Sequence, residues 1–149
     1  MKVNQEITKK FIAKLVRIEP IVMGVFLLYF ALYNTANRLP EIVFVISGST
    51  LSMIMYARGS FEKNEGYTGR DIFIHRLLYW SLALGILALL FHLQNWPGEK
   101  PMVYSSLLIY LFVGIFIITG PKPYKRYINL IELSCLVLVV VYFGKYLFS

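Results

Sequence analysis

Cysteine, acidic residues and long polar stretches are all scarce in this chain. It has one cysteine, Cys135, so it cannot form an intrachain disulfide, and the surrounding apolar run suits a small buried side chain. Only 8 of its 149 residues are acidic, and 58% are hydrophobic. A soluble domain of this size needs a more highly charged surface. These shortages exclude a disulfide-linked framework and argue against a soluble fold.

Five apolar stretches occupy most of the chain, near 20–36, 39–57, 72–96, 102–120 and 127–147. A helix needs about 20 apolar residues to cross the hydrocarbon of a bilayer, with a lower limit of roughly 17. The third and fifth stretches reach this length easily, and the first two are near the limit. We therefore predict an all-α polytopic transmembrane bundle. Residues 1–19 form a cytoplasmic basic segment, and residues 20–149 form a five-span transmembrane domain.

Positive charges alternate between the segments that separate the stretches. The N-terminal tail, the second gap and the fourth gap hold 12 of the 15 lysines and arginines, when Arg76 at the start of the third stretch is counted with the second gap. Lysine and arginine remain on the cytoplasmic side of a membrane because moving them across it is unfavourable. The pattern predicts an N-terminus inside and a C-terminus outside. The net charge of +7 is then explained by orientation and contact with the lipid bilayer, and it does not require nucleic acid.

Residues 4–18 show helical spacing of apolar side chains, at Ile7, Phe11, Leu15 and Ile18. An amphipathic helix of this kind lies in the headgroup plane. The same pattern fits a cytoplasmic extension of the first membrane helix, and the sequence leaves both interpretations open. The dipeptide Glu19-Pro20 favours a break or a new helix start at that point.

The connections and small residues predict how the spans join and pack. Gly59 to Arg70 is the largest polar stretch and is expected to be a loop, with Asp71 capping the third helix. The small-residue pairs Gly48–Ser52 and Ser81–Gly85 permit close helix contact, and we expect such patches to face lipid and mediate association.

Glu132 is the one acidic residue in the interior of a predicted span, because Glu41 lies in the turn at the start of the second. An ionised carboxylate there is unfavourable unless it is paired or hydrated. His75 and Arg76 begin the third span at the same predicted level, so Glu132 forms either a structural ion pair with Arg76 or a proton or cation relay with His75. Contact with a partner subunit is a third possibility.

No catalytic or metal-binding constellation is visible in the sequence. His75 and His92 lie 17 positions apart on one predicted helix, about 25 Å, so they cannot ligate one metal or haem together. Paired carboxylates, a nucleophile triad and a phosphate-binding loop are also missing. We therefore expect a protein with no cofactor and no enzymatic activity.

The most specific string in the sequence follows the third span and reads Phe91-His92-Leu93-Gln94-Asn95-Trp96-Pro97-Gly98. We interpret it as an external helix-to-helix turn. Trp96 anchors at the interface, Pro97 ends the helix and Gly98 permits the reversal.

This turn resembles one in the inner-membrane motor proteins of the bacterial gliding and type IX secretion machinery, the GldL family, and in related small membrane proteins. The family's turn reads roughly Phe-Lys-x-x-His-Trp-Pro-Gly, and Trp96, Pro97 and Gly98 match it. The resemblance covers the third and fourth spans and implies a shared hairpin in a bacterial inner membrane. The family's next helix carries a glutamate implied in proton-driven rotation, but residues 102–119 have no acidic side chain, so motor activity is not implied.

These patterns predict a non-catalytic accessory or scaffold subunit of a larger membrane complex. Its partners would be the bilayer and other subunits or further copies of itself. The alternative is a small transporter or ion-translocating protein that uses Glu132 as its coupling acid. The sequence does not identify the partner complex, a substrate or the oligomeric state.

Overall fold

The computed structural model describes residues 2–33, 41–62, 67–119, 137 and 139–144. These residues form four helices, and residues 139–144 are helical as well. The four helices are α1 (Lys2–Tyr33), α2 (Glu41–Phe61), α3 (Gly69–Leu93) and α4 (Glu99–Thr119). Within the described ranges there is no strand. The prediction of an all-α fold is confirmed, and all four helices are long and apolar enough to cross a membrane.

Helix α1 is longer than the sequence pattern predicts, with 32 residues that continue through Pro20. The predicted break at Glu19-Pro20 is wrong. Proline removes one backbone hydrogen bond from a helix, but packing against neighbouring helices compensates for this in membrane proteins. Met23 and Phe26, within two turns after Pro20, are fully buried and provide such packing. The N-terminal basic residues are thus a continuous extension of the first apolar helix.

Helix α3 lies at the centre of the bundle. It packs against α2 and α4, and α1 packs against α2. Of the apolar window in each helix, 61% is buried in α3 but only 22% in α1 and in α4. The main core joins side chains from every helix and from the segment 139–144, among them Phe26, Phe44, Leu51, Leu82, Ile86, Leu89, Val103, Val139 and Phe143.

Small residues are placed where helices approach closely. An added Cβ at Gly48 would meet Phe26 and Leu90, and one at Gly85 would meet the ring of Tyr110. Close contact at these glycines is confirmed, whereas their expected exposure to lipid is wrong.

The two serines of these pairs are also buried. Ser52 donates a 2.9 Å hydrogen bond to the carbonyl oxygen of Ala83, which links α2 to α3. Ser81 donates to the carbonyl oxygen of Leu78 within its own helix. Both small-residue pairs therefore serve internal packing.

The connection before α3 is shorter than predicted. Helix α2 continues to Phe61 and α3 begins at Gly69, so Gly59 is helical and buried, and both ends of the expected loop belong to helices. Thr68 is the N-cap of α3, and Asp71 completes a capping box with it. Asp71 therefore supports the cap from the third helical position instead of serving as the cap itself.

The turn between α3 and α4 reverses at Gly98 as predicted, but α3 already ends at Leu93, before the predicted stop at Pro97. Gly98 adopts a φ of 93°, and Asn95 adopts a φ of 50°. Positive φ is readily available to glycine, and asparagine tolerates it better than most residues. Trp96 contacts Phe91 edge to face, with 5.2 Å between ring centroids. The turn thus reverses the chain with few residues.

Exposed aromatic side chains occur at two levels of the bundle. Trp96 and Tyr104 are exposed near the turn that joins α3 to α4, a position that suits an interface of a bilayer. Tyr56 and Trp80 are also exposed and stack with 6.1 Å between ring centroids, but Trp80 lies near the middle of α3. Tyr79, beside Trp80 in the chain, is buried in the core.

Candidate functional site: a buried ionic cluster

Four ionisable side chains meet inside the bundle where α1, α2 and α3 approach one another: Glu19, Arg58, Glu62 and His75. We call this group the Arg58 cluster. The Arg58 guanidinium donates to Glu19 at 2.5 Å through Nη1 and to Glu62 at 2.7 Å through Nε. His75 Nε2 lies 3.7 Å from the same Glu62 carboxylate. One arginine therefore joins two carboxylates, one of which also faces a histidine.

Each helix positions its member through local sequence. Glu19 lies on the buried stripe of α1, in register with Ile12, Met23, Phe26 and Phe30. This stripe follows spacings of three and four residues, which keep side chains on one helix face. Arg58 lies in the last turn of α2, where a positive charge is favourable beside the free carbonyl groups. Glu62 follows four residues later and therefore reaches the same guanidinium.

Aromatic rings surround the charged groups. The guanidinium carbon of Arg58 lies 4.4 Å above the centroid of the Tyr79 ring. His75 packs against Tyr79 with 4.6 Å between ring centroids and meets Tyr67 edge to face at 5.8 Å. A cation over an aromatic face is stabilised by the ring quadrupole, and the effect grows when water is excluded. The rings thus provide a largely dry setting for a charged group.

Because the cluster is buried, disrupting it should strongly destabilise the fold. Side-chain exposure is only 8% for Arg58, 5% for Glu19 and 17% for Glu62. Buried charges are tolerated when they are paired and hydrogen-bonded, and the arginine supplies donors to both carboxylates. The geometry can therefore fix the relative positions of α1 and α2. A protonated His75 would add a second positive charge beside Glu62.

The residues predicted from sequence are dispersed in the structure. Glu132 lies outside the described residues, and so does Asn129 beside it in the predicted span. His75 is buried at 3% exposure, whereas the adjacent Arg76 is exposed. Neighbouring helix positions point about 100° apart, so these two residues face different surroundings. The predicted ion pair between Glu132 and Arg76 stays a prediction.

Sequence analysis missed Glu19, Arg58 and Glu62 as members of a site. It placed Glu19 at a helix break and Arg58 in a cytoplasmic gap, because both adjoin proline or glycine. One signal was available. Glu19 interrupts an otherwise apolar stripe of α1, and an acid on a buried face requires a partner.

A second, smaller ionic contact lies near the other end of α3. His92 Nδ1 and Glu99 Oε1 are 2.6 Å apart across the Trp96 turn, with side-chain exposures of 18% and 21%. The ring of His92 also meets Tyr142 edge to face at 5.6 Å. This contact links α3, α4 and the segment 139–144. In the described part of the chain, no group of three or more potential metal ligands occurs.

The chain matches no protein-family model, no curated protein and no solved structure. The resemblance of the Trp96-Pro97-Gly98 turn to the GldL family is neither supported nor contradicted by these comparisons.

Proposed function

We propose that this chain is a small multi-pass protein of the bacterial inner membrane that acts as a non-catalytic accessory or scaffold subunit of a larger membrane complex. The observation that carries the proposal is a pair of outward-facing glycines on the flanking helices. An added Cβ at Gly24 of α1 or Gly114 of α4 would meet nothing within 4 Å, unlike one at Gly48, Gly59 or Gly85. Outward glycines let a further helix approach closely within a membrane.

The internal charges support the same proposal. Glu19, Arg58 and Glu62 contact one another inside the bundle, and His92 contacts Glu99. Groups engaged in this way hold helices together, and their arrangement does not resemble a nucleophile with its base. The small connections seen between α2, α3 and α4 leave little soluble mass for other chemistry.

Association is tested by purifying the chain in a mild detergent and identifying co-purifying subunits by mass spectrometry. We expect a stoichiometric set of partners with the parent chain. Gly24→Leu or Gly114→Leu should reduce the amount of a partner that co-purifies, because the leucine side chain occupies the surface where a partner helix would approach. Neither variant should lower the melting temperature, because neither glycine contacts the rest of the bundle. Leu28→Met is the matched control, since it changes an exposed side chain of α1 at similar size. A lone homo-oligomer, unchanged by either glycine variant, would contradict the scaffold proposal.

The topology that we propose has five spans, with the N-terminus inside and the C-terminus outside. It rests on the alternation of basic residues and on the four candidate spans. Alkaline phosphatase fused after Ser149 should be active, and a fluorescent protein fused there should be dark. The reverse result would require an even number of spans.

The second candidate function is ion or proton translocation through an intramembrane acid. The specific observation in its favour is the approach of buried His75 to Glu62, a pair of titratable groups inside the bundle. Glu132 and Arg76 remain candidates for the same pathway or for a structural pair.

Vesicle reconstitution distinguishes this candidate from the scaffold. Translocation predicts that Glu62→Gln or Glu132→Gln abolishes proton uptake, while Glu41→Gln, at an exposed position, leaves it unchanged. A structural Glu132–Arg76 pair predicts instead that Glu132→Gln combined with Arg76→Gln recovers part of the melting temperature lost by either single change. If the single variants keep the melting temperature of the parent chain but lose proton uptake, the scaffold proposal is wrong.

A further inference from the structure

An apolar stripe on the exposed face of α1 extends beyond the part of the helix that a bilayer core can cover. It consists of seven side chains at alternating spacings of three and four residues, with Lys14 occupying the one charged position. Each of the seven is at least 36% exposed: Ile7, Phe11, Ile18, Ile21, Val25, Leu28 and Leu32. The C-terminal part of this stripe lies on the lipid-facing side of a candidate span. The N-terminal part continues the same face.

The length of the stripe places its first turns at the membrane surface. From Ile7 to Leu32 the helix rises about 38 Å, at about 1.5 Å per residue. The hydrocarbon core is only about 30 Å thick, whereas the bilayer with its headgroups is about 40–45 Å. If Leu32 lies at one edge of the core, Ile7 and Phe11 therefore fall in the headgroup layer of the opposite leaflet. Their exposed apolar side chains match the acyl boundary there.

The charges beside the stripe determine what binds it. Lys9, Lys10, Lys14 and Arg17 are all exposed in the same three turns. The nearby acid Glu6 makes a solvent-exposed pair with Lys10. A second copy of the chain would bring equal positive charges face to face, which is unfavourable. Anionic headgroups supply the opposite charge, and lysine and arginine stems extend along apolar surface toward them.

We propose that residues 7–18 of α1 form a binding surface for the anionic lipids of one leaflet. Ile7 and Phe11 enter the acyl boundary, and Ile18 lies in the hydrocarbon. Lys9, Lys10, Lys14 and Arg17 bind headgroup phosphates, and Lys14 and Arg17 reach them by extending their stems outward from the core. The surface does not depend on the scaffold function, because it needs only a charged bilayer. It makes the position of α1 sensitive to lipid charge.

The first test measures lipid contact at single positions of the full chain. Phe11→Cys and, separately, Gly69→Cys are introduced with Cys135→Ser and reconstituted into nanodiscs. One set contains phosphatidylcholine alone, and the other contains equal parts of phosphatidylcholine and phosphatidylglycerol. A neutral maleimide should label Cys at position 11 about fivefold or more slowly in the anionic discs. Position 69 is exposed at the start of α3 and lies outside the proposed surface, so its labelling should change less than about twofold.

The second test removes the charge. Changing Lys9, Lys10, Lys14 and Arg17 to glutamine should abolish the contrast at position 11. Arg70→Gln with Lys100→Gln, which removes exposed basic residues of α3 and α4, should preserve it. The melting temperature of each variant in phosphatidylcholine discs shows whether it is folded. Equal labelling rates at position 11 in the two lipid mixtures would overturn the proposal. So would a difference in labelling rate that persists when the folded protein carries all four glutamine substitutions.

Discussion

The two ends of α3 each place a histidine beside a glutamate, but in different settings. At one end His75 lies 3.7 Å from Glu62 inside the Arg58 cluster, and its side chain is 4% exposed. At the other end His92 lies 2.6 Å from Glu99, and both side chains are about one-fifth exposed. Glu62 is also bound by Arg58, whereas Glu99 contacts His92 across a short turn.

This difference shows that distance alone does not measure the importance of an ionic contact. The His92–Glu99 pair at the turn is closer, but both side chains are partly exposed, so water solvates them if the contact is lost. The short turn also holds α3 and α4 together without this pair. The Arg58 cluster joins residues 39 positions apart, and removing Arg58 leaves two buried carboxylates without their arginine. Stability should therefore depend much more on the buried end than on the turn end.

Arg58→Met should have the largest effect because it removes the positive charge between Glu19 and Glu62. Breaking a buried ion pair by deleting one partner costs about 3–5 kcal/mol. Thermal unfolding in detergent measures the loss. Arg70→Met is the matched control, since Arg70 is exposed in the first turn of α3, and it should change stability by less than about 0.5 kcal/mol. Equal losses in the two variants would contradict the comparison.

Adding Glu19→Gln to Arg58→Met should recover part of that loss, because one of the uncompensated charges is removed. The recovery is measured as the difference between the double variant and the sum of the single variants. Strict additivity would show that Glu19 and Arg58 do not interact energetically.

Gly98→Val is expected to have the next largest effect, and it lies at the turn end. The φ of 93° at Gly98 is strained for a residue with a branched side chain, and such strain costs about 1–3 kcal/mol. Gly69→Val is a close control, because neither position has an atom within 4 Å of an added Cβ and only Gly98 has positive φ. Folded yield and melting temperature should fall for Gly98→Val alone. If folded yield and melting temperature fell equally in both variants, the effect would come from the valine side chain and not from the positive φ at Gly98.

Thr68→Ala should weaken the start of α3 near the Arg58 cluster. The Thr68 side chain accepts from the backbone N–H of Asp71, and the Asp71 carboxylate accepts from the backbone N–H of Thr68. Loss of such a cap costs about 1 kcal/mol. Thr119→Ala, at the exposed end of α4, should cost less because its hydroxyl bonds only to a carbonyl within its own helix. Hydrogen exchange of the first turn of α3 checks whether the effect is local.

Glu99→Gln should have the smallest effect of the series. Glutamine keeps an oxygen and a nitrogen within reach of His92, and the site is partly hydrated, so the loss should stay below about 1 kcal/mol. Chemical unfolding of Glu99→Gln and Glu19→Gln side by side compares the two ends directly. A greater loss for Glu99→Gln would show that burial does not decide which contact matters.

Sequence patterning predicted the helices better than it predicted the site. Apolar runs and flanking proline or glycine placed all four described helices and the positive φ at Gly98. Their ends were less accurate, because Pro20 and Gly59 both lie inside helices that tertiary packing maintains. The Arg58 cluster was not predicted, since it needs contacts between residues on three helices. A pattern within one helix reveals only that Glu19 occupies a buried face.

The pairing of Glu19 with Arg58 also bears on how the chain enters the membrane during synthesis. A lone charged side chain near the middle of an inserting helix raises the free energy of insertion by up to about 2.5–3.5 kcal/mol. Glu19 emerges first, and its partner follows only when α2 is made. Insertion of α1 and α2 together as a helical hairpin neutralises both charges in one step. We therefore expect α1 to remain at the translocon until Arg58 arrives.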